Sequence, residues 1–198
     1  MKRNKFLILL GVAVVAALAI TFWPKSADEG YNPDNDKALQ AAFEASERGE
    51  ELRKLVAETP AAEQRDMAYL IINMPEHDRE AMDLELLKEN VTYANIARNK
   101  YSWAKELPEE VYLCDVLPYA VVDEVRDSWR KDMYELFSPA VDTCKTMYDA
   151  ICAVNANIPA LTGVHYNTKR EKTNQSPSES IRQGMASCTG LSILLVDA

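Results

Sequence analysis

"NQSPSESIRQGMASCTGLSILLVDA", residues Asn174–Ala198, decides how this chain is read. Ser176, Pro177 and Glu179 have the spacing of a capping box with proline at the first helical position, so a short helix is expected to start there. Gly184 punctuates it, and the apolar run that follows predicts a last helix beginning near Cys188. That cysteine stands among Ala186, Ser187, Thr189 and Gly190, all small, so a carbonyl group could approach its sulfur. A thiol attacks as its thiolate, and a free pKa of about 8.5 leaves little of it at neutral pH. Unpaired N–H groups at a helix amino end favour the ionised form and could also hold a developing oxyanion. A small cysteine buried for packing is the competing reading, and local chemistry leaves both open.

Working outward, Val164 to Tyr166 reads as extended, and a helix is expected from Pro139 to about Asn155, capped by Ser138. Its apolar side includes Val141, Met147, Ile151 and Val154. Farther upstream the pattern is helical from Lys37 to Glu58, with Leu39, Ala42, Phe43, Leu52, Leu55 and Val56 at three- and four-residue steps. Thr59-Pro60 looks like the cap of a helix carrying Met67, Leu70, Ile71 and Met74, which stops at Pro75. A third helix is expected from about Arg79 to Asn99, with Met82, Leu86, Val91 and Ile96 among its apolar positions. The fold class read from these patterns is mainly α.

The amino end is different in kind. Lys2, Arg3 and Lys5 precede an unbroken apolar run from Phe6 to Trp23. A basic flank followed by an apolar stretch is the pattern of an export signal or an amino-terminal anchor. The expected division is a signal or anchor at 1–24, a tether at 25–36, a helical region at 37–107, and a last domain at 108–198. The reading places the protein outside the cytoplasm, periplasmic or extracellular, and attached to the membrane if the segment is not removed.

The chain has 198 residues and a formal net charge of −9, which argues against a nucleic-acid partner because phosphate neutralisation needs clustered Lys and Arg. Its four cysteines, Cys114, Cys144, Cys152 and Cys188, show no CxxC pair and no zinc spacing, so neither a metal nor a cofactor is expected. Cys144 and Cys152 are expected on one helix, about 12 Å apart and out of disulfide reach.

The quoted stretch resembles the nucleophile segment of the transglutaminase-like superfamily, in which an N-Q-S-P segment and a glycine precede A-S-C-T-G-L-S. "DVLPYAVVDEVRDSWR", Asp115 to Arg130, resembles the helical lead-in of bacterial members. The resemblance covers roughly residues 110–198. It implies the helical amino-terminal half of an α+β, papain-like domain, with Cys188 as the nucleophile of a Cys-His-Asp triad. It also implies an exported hydrolase or acyltransferase acting on peptide or protein amides.

One departure bears on that expectation. The family order is cysteine, histidine, aspartate, whereas both histidines here, His77 and His165, precede the cysteine. His165 is read as a structural or surface histidine rather than a base, His77 as exposed, and Asp197 as too far along the helix of Cys188 to join a triad. A domain truncated after its nucleophile and inactive alone is therefore expected, with Leu191, Ile193, Leu194 and Leu195 short of burial. The alternative is a non-catalytic, membrane-anchored helical module that binds another protein.

Overall fold

Asp36 starts the first helix, α1 (Lys37–Glu44), by accepting from Ala38 N at 3.0 Å and Leu39 N at 3.1 Å, a side-chain cap of the usual kind. The computed structural model describes residues 30–198, so the expected signal or anchor lies outside the described residues. The last part of the expected tether is ordered: Pro33–Asn35 forms a 3₁₀ turn capped by Asn32, and Gln40 Nε2 donates to Pro33 O.

The helical run expected from Lys37 to Glu58 is two helices, α1 and α2 (Gly49–Glu58). The reason lies at Gly49, where an added Cβ would sit 2.1 Å from the carbonyl oxygen of Phe43. The backbone folds onto itself at that point, and Gly49 N donates to Ser46 O. Thr59 ends α2 rather than starting its successor, its hydroxyl donating to Leu55 O. A turn from Pro60 to Glu63 intervenes before α3 (Gln64–Asn73), which buries Met67, Leu70 and Ile71 as expected.

The third expected helix is also divided, into α4 (Glu76–Ala81) and α5 (Leu84–Lys100). Asp83 breaks the run because its carboxylate accepts from Glu85 N and caps a new helix. Met82, Leu86 and Val91 are buried, but Ile96 faces out, 40% exposed. After α5 come single turns at Ser102–Lys105 and Glu109–Val111, then a wide turn at Tyr112–Val116.

The expected helical lead-in at Asp115–Arg130 is mostly irregular. Pro118 disfavours helix in the residue before it, and the Glu124 carboxylate folds back to accept from Val121 N and Val122 N. Helix resumes at α6 (Arg130–Val141), which runs through Ser138 and Pro139 where a helix start was expected. Pro139 is tolerated there because it sits exposed in the last turns, where Glu135, also exposed, can give its freed carbonyl to water. The next helix, α7 (Met147–Thr162), is capped by Thr146, and Cys144 lies before it, off the helix that carries Cys152. All four cysteines are free.

Gly163 and Gly184, at φ +70° and +63°, end α7 and α8 (Pro177–Gln183) in the left-handed conformation that glycine adopts at least cost. Each is followed by a short strand, β1 (His165–Tyr166) and β2 (Met185–Ala186), paired in parallel with His165 opposite Met185. The chain closes the described structure with α9 (Cys188–Asp197). Residues 32–198 form one compact unit and are mainly helical, as the sequence pattern predicts.

Within that unit Leu39, Leu52, Met67, Ile71, Leu87 and Val91 are buried on α1–α5. A second cluster joins Trp129, Met133 and Phe137 to Val154, Ala186 and Leu194. Leu194 is covered within this cluster, Leu191 and Leu195 pack against it half-buried, and Ile193 is buried too, so little of the apolar face expected on α9 is bare. Fully burying such a side chain contributes roughly 1.5–3 kcal/mol, enough for this contact to fix α9 in place.

Candidate functional site

Ser176 opens the site. Its hydroxyl accepts from Glu179 N while Glu179 Oε2 accepts from Ser176 N, the reciprocal pair that the spacing predicts. The same hydroxyl donates to Asp127 Oδ2 at 2.5 Å, tying α8 to the segment before α6. Burial pushes the Asp127 carboxyl up, against the pull of hydrogen bonds from Ser176 and Ser178. Gln175 beside it is fully buried, with Nε2 donating to Met185 O at 3.1 Å. That bond fixes β2 from the side opposite β1.

Ser187 is the hinge between β2 and α9. Its hydroxyl accepts from Gly190 N at 2.9 Å and donates to Thr173 O at 2.6 Å, so one side chain caps α9 and pins the loop before α8. Gly190 lets that turn approach closely: an added Cβ would lie 3.1 Å from Ala186 Cβ, a tight contact, and 3.6 Å from Gln175. The first turn of α9 is therefore set down against the strand with nothing bulky between.

Cys188 is the first residue of α9 and is exposed. The N–H groups of a helix's first residues have no acceptor within the helix, and Ser187 takes up the one from Gly190. The thiol thus sits where the sequence predicts, at a helix beginning, and open to solvent rather than packed in the core. Gln175, Ser187 and Asp127, which hold it there, are absent from the sequence expectation. A serine just before a helix start is a cap signal that could have found Ser187; no local pattern marks the contacts of Gln175 and Asp127.

The candidate bases fall elsewhere. His165 lies on β1, exposed, its backbone paired in the ladder, with no hydrogen bond from its ring to Cys188 among the described residues. His77 is on α4, 75% exposed at its side chain, with Nε2 3.2 Å from Asp78 Oδ1. Asp197 is at the far end of α9, as expected, but is buried. Burial raises its pKa to about 8; the Arg130 guanidinium opposes the rise, and the charges of Glu124 and Asp127 add to it. Oδ2 of Asp197 has no hydrogen-bond partner.

Arg130 itself donates from Nε to Asn90 Oδ1 and from Nη2 to the carbonyls of Val116 and Pro118, at 2.6–2.8 Å. Desolvation lowers its pKa to about 10. This network joins α5, α6, α9 and the irregular segment. Its members are scattered along the chain, and no local pattern reveals them.

Among the described residues no group of His, Cys, Asp and Glu is arranged to hold a metal ion, and no helix is long and apolar enough to cross a membrane. No family model, curated protein or solved structure matches the chain.

Proposed function

We propose that Cys188 is a nucleophile of the transglutaminase-like kind, in the helical part of a papain-like α+β domain, and that the protein acts outside the cytoplasm on peptide or protein amides. The observation that carries this is an exposed thiol on the first residue of a helix whose cap and strand are held by Ser187, Gln175 and Asp127. In that chemistry the thiolate adds to the acyl carbon and the amine leaves with a proton. Water or a second amine then displaces the sulfur from the thioester. A base must take and return the proton, and no imidazole is bonded to Cys188 among the described residues. The expected turnover of these residues alone is therefore nil, and a hydrolase activity lost on Cys188→Ala would show that a base is within reach after all.

The nucleophile reading is tested by alkylation. The full chain is treated with iodoacetamide from pH 5 to 9, and each cysteine is quantified by mass spectrometry. Cys114 and Cys152, also exposed, serve as internal references. Cys188 is expected to be alkylated severalfold faster than both references, because a thiol attacks as its thiolate and a helix amino end favours that form. Cys188 tracking the references across the range would sink the proposal.

The missing imidazole favours a second reading, a membrane-anchored helical module that binds another protein without catalysis. It predicts unchanged partner capture by Cys188→Ser.

A further inference from the structure

The carboxyl end of α9 borders a cavity of about 460 Å³, within the size range of small-molecule sites, roughly 300–1,000 Å³. Its walls come from the end of α5, the turn at Ser102–Lys105, α6, α7 and α9. The lining is apolar and aromatic: Tyr101 and Trp103 stack with centroids 4.8 Å apart, Tyr134 and Leu195 extend the wall, and Ile151 and Val196 stand at the mouth. These last two are 54% and 60% exposed, an arrangement that costs free energy in water unless something covers it.

Charge decides what fits. Two cations flank the cavity, and both are already matched. Arg98 is 2.7 Å from Glu109 and lies over the Tyr112 ring, and Lys100 is 2.6 Å from Asp142. Lys100 also sits over the faces of Tyr101 and Tyr134, leaving less ring surface for a foreign cation. An anion would find no unpaired cation in Arg98 and Lys100, and a cation would find no Asp or Glu side chain on the walls. The enclosed Nε1 of Trp103 has no acceptor, and a buried donor of this sort calls for an explanation that a ligand's single acceptor supplies.

We infer that this cavity binds an uncharged, mostly hydrocarbon small molecule carrying at most one hydrogen-bond acceptor. The inference does not rest on the Cys188 reading, because the cavity lies at the opposite end of α9, about 13 Å along the helix axis.

The test uses the full chain, a neutral alkyl-diazirine photoprobe and its carboxylate counterpart, with labelled peptides mapped by mass spectrometry. Mapping keeps labels in the cavity distinct from labels on the apolar run at Phe6–Trp23. The neutral probe is expected to label peptides covering 101–107 and 147–154, with the carboxylate at least about tenfold weaker because its charge must be desolvated. Ala97→Phe, at a half-buried wall position, fills the space, and Ile151→Asp places a charge at an exposed position of the mouth. Either substitution should remove most label from those peptides and leave label elsewhere unchanged. Uniform labelling of the unaltered chain, equal labelling by the carboxylate, or full retention of label in both variants would overturn the inference.

Discussion

At its amino end α9 exposes a thiol above a turn whose capping hydroxyl makes two good hydrogen bonds; at its carboxyl end the same helix buries a carboxyl group with one oxygen unmatched. The first end is organised mainly by neighbours within Thr173 to Gly190, with Asp127 joining from farther along the chain. The second is organised by Arg130 and Asn90, which arrive from other helices. A small turn can hold a thiol in the open. A charged group inside the fold needs partners from several elements, and here the pairing is incomplete.

The largest expected effect falls on the buried end. Arg130→Met strips donors from Asn90 Oδ1 and from the Val116 and Pro118 carbonyls. Leaving enclosed acceptors without donors costs about 1–3 kcal/mol each, read as a lower urea midpoint. Little change in the midpoint would mean that the two ends of α9 are equally local.

Next comes Asp197→Asn. The carboxyl's folded pKa, about 8, lies above that of an exposed aspartate, so the native state keeps a proton that the unfolded chain releases. Its contribution is fully present below about pH 4 and is lost as pH rises toward 8. The substitution should therefore leave stability unchanged at pH 4 and raise it by several kcal/mol at pH 9. Stabilisation confined to low pH would reverse the assignment.

The exposed end should respond less. Ser187→Ala removes a helix cap and leaves Thr173 O without its donor, a loss of about 1–2 kcal/mol by thermal melting. Smallest is His165→Ala, expected within about 0.5 kcal/mol of the parent and without effect on the alkylation rate of Cys188. A severalfold slower rate would make His165 the base.

These contrasts explain what the sequence disclosed. The cap at Ser176, the stop at Gly184 and the helix start at Cys188 rest on signals carried within a few residues, and they were legible. The break at Gly49 was not, because it follows from a backbone contact with Phe43 rather than from a strong local stop. Pro139 misled because a proline in an exposed last turn does little harm. Ile96 and Ile151 keep helical spacing yet face outward, since periodicity identifies a stripe but not what covers it. Asp197 falls at the far end of the helix that Cys188 begins, as its spacing requires, while its burial beside Arg130 needed the folded chain to be seen.

The approach of Phe43 to Gly49 sets a limit on variation. With a backbone oxygen 2.1 Å from where a first side-chain carbon would stand, no rotamer choice relieves the clash. In a saturation library selected for folding, position 49 should lose every replacement, alanine included, while Gly30, with nothing within 4 Å, should accept most of them.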